Sequence, residues 1–160
     1  MTTVRPARPT DDDAIVAIDD VTWTALTSPA PQPDGLRSYF AATPVDDVLV
    51  AEVDGRVVGY VQLHNAFGGL AAHQHVLEIN GLAVHPDATG RGIGAQLVEA
   101  VVAEAARRGA RKVSLRVLAP NATARRLYAR CGFAEEGVLR QEFLLGGAYV
   151  DDVLMARFIG

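Results

Sequence analysis

Residues 82–95 read Leu-Ala-Val-His-Pro-Asp-Ala-Thr-Gly-Arg-Gly-Ile-Gly-Ala. An apolar run ends at Val84 and Pro86 interrupts it. Gly90, Gly92 and Gly94 then alternate with Arg91 and Ile93, and a long Ala/Val/Leu-rich segment follows at helical spacing. The pattern predicts a strand, a tight turn and a helix N-terminus. Glycines let the backbone approach a ligand closely. The first N–H groups of a helix lack internal partners and lie at its positive end. Such a turn suits an anion, phosphate above all. The standard nucleotide motifs do not match it. A dinucleotide fold places G-x-G-x-x-G after its first strand, whereas G-x-G-x-G lies mid-chain here, and no Gly-Lys-Ser/Thr follows as a P-loop would need. His73-Gln-His75 would put two rings on one face of a strand. No Cys or third His stands near it, so no metal site is expected. Cys131, just before Gly132, reads as a packing residue.

Net charge is −4, which argues against a dedicated nucleic-acid binder. The charge is polarised along the chain. Between Ala88 and Arg130 nine basic residues face two acidic ones, and the remainder carries an acidic excess of eleven. A basic segment around a phosphate-type turn fits a polyanionic small ligand. Arg107, Arg108 and Arg130 read as solvated helix faces. The 160 residues, 49% apolar and 21% charged, fit one soluble domain over 1–160. No apolar run is long enough to span a bilayer. The N-terminus lacks the apolar core of a signal peptide, and the single cysteine cannot form an internal disulfide. A cytoplasmic location with no membrane partner is expected.

Elements must hold these residues. Residues 2–8 read as a short strand near a sheet edge, broken by Pro6 and Pro9. Thr10 or Asp11 caps a helix whose stripe of Ile15, Ile18, Asp19, Thr22 and Leu26 runs to about Leu26. Three prolines make 28–33 a loop, and Asp34 caps a second short helix carrying Leu36, Tyr39 and Phe40. Asp54-Gly55 signals a hairpin between strands 48–53 and 56–64. A fourth strand covers 75–84. The helix 92–108 lines up Ile93, Leu97, Ala100, Val101 and Ala105 and stops at Gly109. A strand at 112–118 precedes a helix capped by Asn121, with Ala124, Leu127, Tyr128 and Cys131 on one face and Gly132 at its end. Residues 133–145 and 148–159 form a closing hairpin around Gly146-Gly147. Hairpins followed by two strand–helix crossovers imply an α/β fold: a mixed sheet of about seven strands with helices on both faces.

In this order the pieces resemble the GNAT superfamily of acetyl-CoA-dependent N-acetyltransferases. The resemblance rests on Leu82 to Pro86 with the turn Thr89-Gly-Arg-Gly-Ile-Gly94, on the strand 112–118, and on Asn121-Ala-Thr-Ala-Arg-Arg-Leu-Tyr128-Ala-Arg-Cys-Gly-Phe133. The last is similar to the family's N-x-x-A-x-x-L-Y-x-x-x-G-F signature. The closing segment 147–155 is similar to that of members acting on amines of amino acids and related small molecules. The resemblance implies a sheet splayed around the cofactor-binding strand. It implies acetyl-CoA as cosubstrate, with the pyrophosphate on the backbone of Arg91, Gly92, Ile93, Gly94 and Ala95. The pantetheine arm would lie along Leu82, Ala83 and Val84, and Asn121 would be both helix cap and cofactor contact. Thr89 departs from the family, whose turn usually begins with Arg or Gln there, so rearranged phosphate contacts are expected, with Arg91 partly substituting.

Acetyl transfer to an amine needs an ammonium to lose a proton and a leaving thiolate to gain one. The resemblance gives the first task to Glu78, four residues before Leu82, and the second to Tyr128, near the CoA sulfur. It puts Asp151 and Asp152 beside the acceptor, and His75 could contact substrate or relay a proton. The expected activity is acetylation of a primary amine of a small molecule by direct attack. A protein N-terminal or lysine acetyltransferase and a non-catalytic acetyl-CoA sensor are the alternatives. The resemblance leaves a homodimer open.

Overall fold

The computed structural model describes residues 1–160. Asp54 and Gly55 take φ values of 50° and 78° and close the hairpin of β2 (Val48–Val53) and β3 (Arg56–His64). Two successive positive φ angles match the twist of the flanking strands, and Asp-Gly adopts them cheaply. β1 (Thr2–Pro6) pairs antiparallel with β2, and β3 pairs antiparallel with β4 (Val76–Val84). β5 (Lys112–Leu118) runs parallel to β4, and β7 (Ala148–Phe158) lies between β5 and β6 (Ala134–Leu145). The seven-stranded sheet therefore has the order β1-β2-β3-β4-β5-β7-β6, mixed as its connections require.

Alternation along the strands builds two cores. Val61 and Leu63 of β3 face α2 (Ile93–Arg107), whose Leu97, Val98, Val101 and Ala105 are fully buried against the sheet. Each such aliphatic side chain contributes about 1.5–3 kcal/mol of burial. Tyr60 points the other way, with Val48 and Val50, onto Ile15 and Ile18 of α1 (Asp12–Thr22). The third helix, α3 (Ala122–Arg130), packs beside α2. No helix is long and apolar enough to cross a membrane.

Two expectations are corrected. α1 stops at Thr22, where Trp23 turns extended (φ −61°, ψ 131°), rather than running to Leu26. The second short helix expected from Asp34 does not form. Gly35 has φ 73°, Leu36 is fully exposed, and the Phe40 N–H donates to Asp12 Oδ1 (2.9 Å) instead of to a helical carbonyl. A segment this short cannot repay helix nucleation by itself. Tyr39 and Phe40 are pinned to α1 as an irregular strap.

The register between β3 and β4 matters most for function. Val61 stands opposite Leu82, but Leu63 stands opposite Ile79, so β4 carries an extra residue at Asn80-Gly81. Gly81 takes φ 141° there, a value that side chains rarely adopt. Beyond this bulge β4 leaves β5. The two strands pair only from Val76 with Lys112 to Ile79 with Leu115.

Candidate active site

The parting of β4 from β5 opens a cleft of about 1210 Å³. Its walls are Leu82, Ala83 and Val84 on one side and Arg116, Val117 and Leu118 on the other. From Leu82 to Val84, β4 is bonded to β3 along one edge only. Its other edge turns free backbone groups toward the cleft, and buried backbone groups seek partners.

At one mouth of the cleft stands the N-terminus of α2. Gly92 is the N-cap, in the left-handed conformation (φ 75°), and the first bond of the helix runs from Gln96 N–H to Gly92 O (3.1 Å). The N–H groups of Ile93, Gly94 and Ala95 therefore point outward from the positive end of a fifteen-residue helix. No acidic residue occurs between Ala88 and Val98. The individual roles in the turn differ. The Ile93 side chain is buried in the core, so only its backbone faces outward. A Cβ on Gly94 would come 3.1 Å from Leu127 Cδ2, so this glycine also lets α2 and α3 approach. Arg91 is exposed and does not line the cleft, whereas Thr89 does, its Oγ1–H donating to Pro86 O (2.9 Å). The Asn121 side chain caps α3, accepting from Ala124 N–H (3.2 Å), and also lines the cleft.

Two side chains with acid–base chemistry line the same cleft. Tyr128 is 7% exposed, with its ring edge-on to Phe133. Burial pushes its hydroxyl well above the ordinary range, and no hydrogen bond offsets it. The group is therefore held as a neutral O–H. Glu78 enters from β4, half-buried, with Oε1 3.1 Å from Nε2 of His64.

The profile of the Acetyltransferase (GNAT) family matches residues 14–133. An uncharacterised N-acetyltransferase of Mycobacterium tuberculosis is 31% identical over 160 residues, 92% of this chain and 97% of that protein. The chain belongs to the GNAT family of acetyltransferases. A phosphinothricin N-acetyltransferase of Alcaligenes faecalis is 32% identical over 162 residues, covering 97% of this chain and 81% of the relative. Among solved structures, a GNAT superfamily phosphinothricin acetyltransferase from Sinorhizobium meliloti, in complex with acetyl-CoA, superposes with a TM-score of 0.84. It shares 24% identity and covers 99% of this chain and 89% of its own.

As a GNAT enzyme the chain is an acyltransferase, and its remaining expected site residues divide. Asp152 lies in the cleft wall, 2% exposed, and accepts from Arg116 Nε–H at 2.6 Å. Its neighbour Asp151 points away, and its Oδ1 accepts from the Gln141 N–H (2.8 Å), fixing an irregularity in β6 where Gln141 has φ 54°. His75 is exposed ahead of β4, at the end of the strand away from the splay. Its carbonyl accepts from Arg111 and Lys112 N–H, and it does not line the cleft. His73 and His75 do not share a strand face either, since His73 sits in a 3-10 turn with its ring tilted against Phe67.

Sequence reasoning missed the wall on the α1 side. Tyr60 donates its hydroxyl to Asp19, and Tyr39 donates to Gln62 Oε1 (3.3 Å). All four line the cleft. Burial pushes the Asp19 carboxyl above its ordinary value, although the Tyr60 hydrogen bond opposes the rise. Asp19 and Thr22 interrupt the apolar stripe of α1. That polar break on a core-facing helix was the available signal.

Proposed function

We propose that this GNAT enzyme moves the acetyl group of acetyl-CoA to a primary amine of a small molecule by direct attack. The observation that carries the reading is the opened wedge between β4 and β5, continuous from the N-terminus of α2 to Glu78 and on to the α1 side of the sheet. The donor set fits the cosubstrate. The free N–H groups of Ile93, Gly94 and Ala95 suit a pyrophosphate, with no carboxylate beside them to oppose it. The free edge at Leu82, Ala83 and Val84 suits the amides of an extended pantetheine arm, and the Asn121 amide lies in reach of the same path.

The cosubstrate supplies an activated thioester. Glu78 takes the proton that an ammonium must lose before its nitrogen can attack. As the N–C bond forms and the C–S bond breaks, the Tyr128 hydroxyl gives a proton to the departing sulfur and regains one from the attacking nitrogen, which sheds a second proton to become an amide. The Alcaligenes faecalis phosphinothricin N-acetyltransferase, alike over nearly the whole chain, supports a small acceptor. The polar α1-side wall of Tyr39, Tyr60, Gln62 and Asp19 supports one that carries polar groups besides its amine.

Mass spectrometry of product mixtures tests the acceptor class. Acetyl-CoA is offered together with phosphinothricin, amino acids, diamines and short peptides with free N-termini. Acetylated small amines are expected to dominate. Acetylation confined to the peptides would replace this reading with a protein acetyltransferase.

A further inference from the structure

We propose that His64 is the positioning residue for Glu78, and that the bulge in β4 exists in part to bring the two together. The inference rests on Glu78 serving as base in the function proposed above. Had β4 kept the register set by Val61 opposite Leu82, His64 would face Ile79 and Glu78 would point to the α2 side of the sheet. A one-residue slip exchanges the two faces of a strand. The extra residue at Asn80-Gly81 makes that slip, and His64 stands directly opposite Glu78. One irregularity thus opens the cleft and turns its carboxylate toward a histidine.

The contact is specific. His64 Nε2 lies 3.1 Å from Glu78 Oε1, and both side chains are about a quarter exposed (28% and 24%). An ionised carboxylate only accepts hydrogen bonds, so the neutral imidazole donates from Nε2. Glu78 lines the cleft and His64 does not, so the histidine holds the carboxylate from outside. The neighbouring strands do not replace this hold. β5 presents Ser114 in register with Glu78, followed by Arg116. Arg116 is hydrogen-bonded to Asp152 of β7 (2.6 Å) and paired with Glu142 of β6 (3.5 Å), and its charge also reaches Glu78 without a hydrogen bond to it. α1 presents Asp19, engaged by Tyr60, and His75 lies three residues before Glu78, ahead of β4.

With Oε1 fixed by His64, Oε2 is the oxygen left to the acceptor. It takes a proton from the ammonium, the N–H electron pair stays on nitrogen, and an O–H bond forms. His64 keeps its own Nε2 proton throughout, and the carboxyl later releases the acquired proton to water.

His64→Leu and His64→Gln separate this role from simple packing. Kinetics use acetyl-CoA and the amine that the wild type acetylates fastest. Carbon-13 NMR follows the Glu78 carboxyl in the enzyme alone. His64→Leu is expected to lower kcat about tenfold, within what a general base supplies, with KM for acetyl-CoA changed less than about twofold. Its Glu78 carboxyl resonance should move, because the carboxylate loses a hydrogen-bond donor. Gln can place an amide N–H where the Nε2–H stands. His64→Gln should therefore keep most of kcat and a Glu78 carboxyl resonance close to that of the wild type. A His64→Leu enzyme with wild-type kcat and an unmoved resonance overturns the proposal, as does a His64→Gln enzyme as impaired as His64→Leu. A wild type that acetylates no amine overturns the proposed function instead, and the resonances still decide whether His64 holds Glu78.

Discussion

Glu78 and Tyr128 divide the proton work of the proposed reaction, and their surroundings differ accordingly. Glu78 is half-buried at a strand pair with a histidine, while Tyr128 sits in the core with its hydroxyl held neutral by burial. Glu78→Gln is expected to lower kcat about a hundredfold near neutral pH, the lower end of what a positioned base supplies. The deficit should narrow as pH rises, because an amine that is already neutral needs no base. A pH–rate profile of the variant checks this, and a deficit constant with pH would remove Glu78 from proton abstraction. Tyr128→Phe should lower kcat and leave acetyl-CoA affinity by calorimetry within about threefold of wild type. Unchanged turnover would remove the hydroxyl from the mechanism. At this scale the sequence was informative where a motif fixed the position, as for Tyr128 and Asn121. It could not show that Asp151 turns to the Gln141 N–H while Asp152 faces the cleft, because their placement depends on the local geometry of β6 and β7.

Elements place these residues through a few close backbone approaches. Gly59 is one. A Cβ there would stand 3.0 Å from Ala83 O and 3.1 Å from Leu97 Cδ1. The carbonyl belongs to β4, on its β3 side, and cannot move aside without shifting the strand that borders the cleft. Gly59→Ala is therefore expected to cost about 1–3 kcal/mol, the range of overpacking in a filled core. A lowered denaturant midpoint at unchanged m-value would register it, and a midpoint equal to wild type would contradict the packing described. Strand and helix limits were legible because hydrophobic periodicity and Asp-Gly, Gly109 and Gly132 punctuate them. The bulge was not. It is one residue in a nine-residue strand, and only pairing with β3 reveals it. The strap at 35–43 was misread because Leu36, Tyr39 and Phe40 have helical spacing, whereas tertiary contact with α1 decides their conformation.

Across the whole molecule, charge pairs tie distant parts of the chain and set its behaviour in acid. Asp11 fastens the start of α1 to Arg5 of β1 (2.8 Å), and that guanidinium holds its carboxyl below the ordinary range. Glu104 is drawn from 4.5 to about 2 by Arg107 and then Arg108, and Arg108 also reaches Asp47. A carboxylate depressed in the folded state stabilises above its unfolded pKa and loses that stabilisation as pH falls through the folded one. The melting temperature should therefore drop as pH is lowered from about 4.5 toward 2. Asp11→Asn should make the drop shallower, and a wild-type melting temperature flat across that window would contradict the assignment. Asp19 has the opposite sign. Burial raises its carboxyl, so its ionisation at neutral pH works against the fold. The wedge that exposes it is the feature on which the functional account depends. Its most direct test is the release of free thiol from acetyl-CoA, followed with a thiol-reactive dye, with and without a panel of small primary amines. Release is expected to depend on the amine and to match the acetylated amine mole for mole. Acetyl-CoA that is not bound, or that is bound and never discharged to any amine, would contradict it.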